Sequence, residues 1–221
     1  MTKFKSICLA TAAGLALCAP AAAQDWDGFY GGFSVGYGLG DATHSFSNGA
    51  PTDNSSPNGA LIGGFVGYGF QSGNTVWGGE VDLEFSNYSG SFVNTTGATS
   101  QGVIDGKWQG SVRAVLGLAG NFASKPALYY ATGGWAVGEF DFLGGPSAPV
   151  PPGGGYSETL NGWTAGVGMG VRVAANTTVR VEYRYTDFGT ASGTIAPTFP
   201  GVTMPVDVTQ HAVRFGLRME F

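Results

Sequence analysis

The chain has 221 residues, 39 of them glycine, and only 11% of them are charged. A formal charge of -5 with no basic run excludes a nucleic-acid binder, and the glycine content argues against a helical enzyme. The length suits one ordinary domain.

The first segment, "MTKFKSICLATAAGLALCAPAAAQ", sets Lys3 and Lys5 before an apolar run from Ile7 to Ala19 and a small-residue site at Ala21-Ala22-Ala23. It reads as a secretory signal over residues 1–23, cleaved after Ala23, which leaves residues 24–221 as the mature domain. A lipoprotein signal built on Cys18 is disfavoured, because Leu17 is bulkier than the small residue expected before such a cysteine. Cys8 and Cys18 both fall in the removed part, so neither a disulfide nor a cysteine-held metal is expected. Loss of Lys3 and Lys5 leaves 8 basic against 15 acidic residues, a formal charge of -7. Beyond the signal no run of about 18 apolar residues occurs, so no helix is expected to cross a membrane.

From there the pattern has a period of two, the signature of strands. Glycine-rich strands are expected at "GFYGGFSVGYGLG" near residue 30 and "ALIGGFVGYGF" near 65. In "TVWGGEVDLEFS" the apolar phase is Trp77, Val81, Leu83 and Phe85, and the polar phase holds Glu80, Asp82 and Glu84. "KWQGSVRAVLGLA" sets Trp108, Val112, Ala114, Leu116 and Leu118 against Lys107, Gln109, Ser111 and Arg113. "ALYYATGGWAVGEF" near 133 and "NGWTAGVGMGVRV" near 167 follow, the latter with Arg172 on its polar phase. "TVRVEYRYTDF" sets Val179, Val181, Tyr183 and Tyr185 against Arg180, Glu182 and Arg184. The terminal "HAVRFGLRMEF" sets Val213, Phe215, Leu217, Met219 and Phe221 against Arg214, Arg218 and Glu220.

Eight strands result, each long enough for the roughly 9–11 residues of a tilted membrane strand. The links alternate. "SGN", "GNFASKP" and "AANT" are short, whereas "DATHSFSNGAPTDNSSPN", "NYSGSFVNTTGATSQGVID", "DFLGGPSAPVPPGGGYS" and "GTASGTIAPTFPGVTMP" are long. This predicts an all-β, eight-stranded antiparallel up-and-down transmembrane barrel, with short periplasmic turns, four long extracellular loops and both termini periplasmic. A soluble lipocalin-like barrel also alternates, but its charges face water and mix lysine with glutamate. Here all six arginines lie on the polar phase and lysine is nearly absent, which suits a lumen of ion pairs inside a lipid-facing wall.

The signal, the repeated G-x-G strands, "RVEYRYTDFG" and the terminal "VRFGLRMEF" resemble the OmpA-like and porin-family small outer-membrane barrels, in particular the surface antigens of alphaproteobacteria. The resemblance covers essentially all of the mature chain. It implies that Phe215, Leu217, Met219 and Phe221 form the signal read by the barrel-assembly machinery. No C-terminal segment resembles a peptidoglycan-binding domain.

Eight strands leave room for side chains rather than a wide channel. Glu80, Asp82, Glu84, Glu182 and Glu220 are therefore expected to pair with Arg113, Arg172, Arg180, Arg184, Arg214 and Arg218, beside the small inward glycines Gly32, Gly36, Gly38, Gly166, Gly168 and Gly170. Glu80 and Glu84 share a face through period two rather than through glycosidase geometry. His44 falls in the first long loop, and His211, at the start of the last strand, is the one candidate for a lipid A-modifying Ser-His-acid site, with no motif around it. "GVGMG" and "GYGLG" open no helix and match no nucleotide loop.

The expected function is a structural and surface-interaction barrel, with a narrow porin as the alternative and a lipid-modifying enzyme third. Outer-membrane lipid and lipopolysaccharide, the assembly machinery and a host or surface ligand at the loops are the expected partners. No cofactor and no catalytic or metal site is expected.

Overall fold

Period-two alternation with valine and aromatic residues at every few positions favours extended chain, and extended chain is what forms. The computed structural model describes residues 26–45, 47, 52–94, 100–145, 155–194 and 201–221. The expected signal segment lies outside the described residues. Nine antiparallel strands follow in order: β1 (Gly28–His44), β2 (Asp53–Ser55), β3 (Asn58–Ser72), β4 (Thr75–Asn94), β5 (Ser100–Phe122), β6 (Lys125–Gly145), β7 (Gly155–Ala174), β8 (Thr177–Thr194) and β9 (Thr203–Glu220).

Each long strand pairs with the next, and β9 returns to β1 from Tyr30↔Glu220 to His44↔Val206, so the sheet closes into a ring. Closure leaves the long strands no unpaired edge, the condition for spanning lipid with strands. The ring contains the eight strands read from the alternation. The ninth, β2, is a three-residue strand against Ala42–His44, too short to show a period, and it falls within the segment expected as the first loop.

The long links are also shorter than read. β4 runs to Asn94 and β5 starts at Ser100, and the other long strands likewise continue into segments read as loops. Two features hid this. Polar outer residues such as Ser89, Asp105, Asp141 and Ser157 form one continuous row across β4 to β7 and give the segment a loop-like composition. Register shifts at Gly106/Trp108 and Asp187/Gly189 also interrupt the alternation in β5 and β8. The shift in β5 turns Lys107 outward, where it meets Glu139 at 3.1 Å and Asp141 at 3.0 Å. The sequence reading had set Lys107 on the lumen phase.

At the other end the connections are two-residue turns at 73–74, 123–124 and 175–176. Gly73 takes φ 61, and Ala123 and Ser124 take φ 48 and 62, the left-handed region that two-residue hairpins demand.

The wall is inverted relative to a soluble protein. Phe29 is 67% exposed, Phe33 69%, Leu116 61% and Phe215 57%, whereas Glu84 and Glu182 are 1% exposed and Arg113 2%. Exposed apolar residues occur on all eight ring strands. No helix among the described residues is long and apolar enough to cross a membrane, and strands carry the apolar surface instead.

Candidate functional site

The inside of the ring is filled in three layers. The middle layer is ionic and is organised by β4, whose period of two points Glu80, Asp82 and Glu84 to the same side. Arg113 sits directly across from Glu80 on β5 and reaches it at 2.5 Å, Asp82 at 3.0 Å and Glu182 at 2.9 Å. Arg180 crosses the lumen to Glu80 at 2.6 Å and lies 3.5 Å from the ring centroid of Phe65. Arg184 joins Glu182 at 2.7 Å and Asp82 at 3.2 Å. Arg214 forks onto Glu84, with Nε and Nη2 each at 2.8 Å, and Gln109 adds a hydrogen bond to the same carboxylate at 2.9 Å.

Charges taken out of water are costly unless paired, and these share partners so that most oxygens carry more than one donor. Glu220 lies apart from this group, at the turn end. It receives Arg172 at 3.2 Å and Arg218 at 3.3 Å. All eleven charged residues singled out in the sequence therefore point inward, eight of them in the middle layer and Arg172, Arg218 and Glu220 nearer the turn end.

Two apolar layers cap the ionic one, and the sequence reading placed neither. Toward the loops, Tyr88, Ile104, Phe140, Phe142, Leu160, Phe188, Met204, Val206 and Val208 form a buried cluster inside the ring. Toward the turns, Trp26 is 0% exposed and packs with Val76 and Leu128, beside Tyr130. Trp26 precedes β1 and folds back under the barrel, its backbone N–H donating to Gln71 Oε1 at 2.9 Å. The Arg172 guanidinium lies 4.4 Å from the Trp26 ring. The available signal for the loop-end cluster was parity: Phe140, Phe188, Val206 and Val208 continue the inward phase of their own strands.

Glycines set where the large inward rings fit. A Cβ on Gly40 would lie 1.5 Å from the Tyr88 hydroxyl, and one on Gly168 2.5 Å from the Tyr130 ring, so each ring occupies the space that a missing side chain leaves. Two small cavities of about 10 Å³ lie among these side chains, one beside Asp82, Thr164 and Arg184 and one beside Trp26 and Arg218. Each has room for about one water molecule.

The histidines divide differently from expectation. His211 Nδ1 meets the Tyr183 hydroxyl at 2.6 Å on the outer wall. His44 Nε2 lies 2.9 Å from Ser55 Oγ, but His44 is 1% and Ser55 3% exposed, so no substrate reaches the pair. Burial pushes the His44 imidazole, at the loop end, down to about 4. No metal-ligating cluster occurs among the described residues.

The outer surface holds a different set. Phe215, Leu217 and Phe221 face outward on or just past β9, with Phe221 86% exposed and its backbone N–H bonded to Phe29 O at 3.0 Å. Met219 shares their outward parity and is half-buried.

A closed antiparallel ring with an apolar outside and an ion-paired inside defines a transmembrane β-barrel. The chain belongs to the outer membrane protein beta-barrel domain family, whose sequence pattern matches residues 9–221, and it is an outer-membrane protein. It is 32% identical over 216 residues to the 31 kDa outer-membrane immunogenic protein of Brucella melitensis biotype 1, covering 92% of this chain and 87% of that one. It is 34% identical over 171 residues to the 22 kDa outer membrane protein of Rhizobium leguminosarum bv. viciae, covering 75% of this chain and 66% of that one. The solved structure of the outer membrane protein OprG from Pseudomonas aeruginosa shares the fold at a TM-score of 0.50 and 14% identity, over 88% of this chain and 98% of that one.

Proposed function

We propose that this protein is a structural and surface-exposed component of the outer membrane, a closed barrel that reinforces the envelope and presents its loop end to the surroundings. One observation carries the reading: the lumen is filled from end to end by an apolar layer, an ionic layer and a second apolar layer. A narrow porin needs a continuous wet path, and side chains occupy that path here. No chemistry is assigned to it, because the ionic residues are engaged with one another and the His44–Ser55 contact is buried.

In this reading the turns and both termini face the periplasm and the loop end faces outward. The apolar wall contacts lipid, the membrane-proximal rim meets lipopolysaccharide, and the loops are the surface available to a host or environmental ligand. The outward residues Phe215, Leu217, Met219 and Phe221 serve as the signal for the barrel-assembly machinery. A deletion strain tests the structural role. Loss of the protein is expected to raise detergent sensitivity and leakage of periplasmic enzymes, and the intact gene restores both. An envelope unchanged by the deletion contradicts it.

A further inference from the structure

The lipid-facing wall is not uniform. Many outward positions carry large residues such as Phe33, Val66, Leu83 and Phe215, but one ladder row across β4 to β7 runs Gly79, Ala114, Gly133 and Ala165. A Cβ on Gly79 would have Arg113 O at 3.8 Å as its nearest non-adjacent neighbour, and one on Gly133 would have Thr164 O at 3.9 Å, so the wall is low at both. Two residues nearer the turns, Ala131 lies between Leu116 and Val167. There the wall opens into a groove of about 510 Å³, with Ala131 at its floor and Leu116, Leu118, Val167 and Tyr129 around it.

The two ends of this trough differ in chemistry. Tyr129 leans toward the turns: its ring lies 3.6 Å from where a Cβ on Gly120 would stand, and its hydroxyl donates to Asn121 O at 3.2 Å. Asn121 is one ladder pair from Lys125, which is exposed at the start of β6 and places an ammonium at the polar edge of the wall. At the other end stand Trp135 and Trp163, ladder partners that are 50% and 51% exposed. Six residues separate Tyr129 from Trp135, roughly 20 Å of strand or about 15 Å of depth at the usual tilt, half of a ~30 Å hydrocarbon core. The trough is therefore as deep as one leaflet.

An apolar groove inside the membrane holds no water, and left empty it forfeits the dispersion contacts of its walls. A flexible hydrocarbon chain fills it, and a phosphate at the chain's head meets Lys125. A second copy of the barrel fits less well, because a two-fold axis through this wall would set groove against groove and enlarge the void.

We propose that the groove is a binding site for one phospholipid of the periplasmic leaflet, with an acyl chain along Ala131 and Gly133 and the phosphate against Lys125. The leaflet rests on the reading that the turns face the periplasm. A chain set into the groove touches protein on three sides, so this lipid exchanges more slowly than those covering the rest of the wall.

The test is native mass spectrometry of the barrel extracted from outer membranes in mild detergent, where phospholipid and lipopolysaccharide differ in mass. One phospholipid per barrel is expected to survive detergent washing. Ala131→Phe, which fills the groove from the lipid side and leaves the lumen alone, is expected to abolish its retention. Lys125→Gln should lower the retained fraction about fivefold, and Val66→Phe, on the outward face of β3, should retain the lipid as the unaltered protein does. A shift in gel mobility on boiling confirms that each variant is folded. A lipid-free unaltered barrel, or equal retention in Ala131→Phe, overturns the proposal and leaves the orientation untouched. Lipopolysaccharide retained instead, and displaced by Ala131→Phe, overturns both the phospholipid and the orientation. A lipid-free dimer broken by Ala131→Phe gives the groove to a second copy and overturns the proposal.

Discussion

Glu80 and Arg180 stand 100 residues apart in the chain and meet inside the barrel at 2.6 Å, one from β4 and the other from β8 across the lumen. Their pairing ties opposite walls together in a place where neither charge has water to fall back on.

Removing one partner therefore strands the other. Arg180→Leu is expected to destabilise the folded barrel by about 3 kcal/mol or more, whereas Val181→Leu, one residue away on the outer wall, changes stability little. The double variant Glu80→Leu with Arg180→Leu should recover part of the loss, although Arg113 then loses one of its carboxylates. Urea midpoints in lipid vesicles read all four proteins. Equal effects of Arg180→Leu and Val181→Leu would mean that the inner and outer phases are not energetically distinct.

The turn at 123–124 stores strain. Ala123 and Ser124 both hold positive φ, which costs a residue with a Cβ roughly 1–2 kcal/mol. Ala123→Asn combined with Ser124→Gly supplies the residues that this turn geometry prefers and should raise stability by about 1–2 kcal/mol. Gly189→Ala, at φ 78 in the β8 irregularity, should lower it by about 1 kcal/mol.

His44 gives the loop end a pH dependence. Its folded pKa of about 4 lies below the ordinary 6.5, so the folded state binds fewer protons than the unfolded one between these values. Its stabilising contribution is complete above about pH 6.5 and is lost as the pH falls toward 4. Protease cleavage between β1 and β3 should accelerate over that interval in the native protein and respond far less in His44→Gln.

Phe221 separates assembly from stability. Its ring is 86% exposed on the outer edge, so its deletion should cost a folded barrel no more than about 1–3 kcal/mol of lipid burial. Delivery to the outer membrane should fall much further if the terminal aromatic is what the assembly machinery reads. Surface level in cells is compared with the urea midpoint of refolded protein. Normal surface levels with a large fall in midpoint would leave Phe221 a packing role alone.

The barrel was legible because its wall obeys one rule. Lipid outside and charge inside make the alternation of Val179, Val181 and Tyr183 against Arg180, Glu182 and Arg184 visible without any structure. The rule failed where a second environment intervened. Toward the loops the lumen turns apolar, so Phe140, Phe142 and Tyr156 inside and Asp141 and Ser157 outside carry the opposite code, and composition made these strand ends look like loops. The irregularity at Gly106/Trp108 then reversed the phase of Lys107. Trp26 was hidden for another reason: a single residue before the first strand has no period, and only the closed ring creates the mouth that it fills.

The central claim is that the lumen is sealed, and single-channel recording in a planar bilayer tests it most directly. Protein inserted in its folded form, verified by a shift in gel mobility on boiling, is predicted to give no stable conductance steps at moderate voltage. Variants that open both caps, Trp26→Ala combined with Phe140→Ala and Phe188→Ala, are predicted to conduct weakly. Regular, ohmic openings of the unaltered protein would contradict the account.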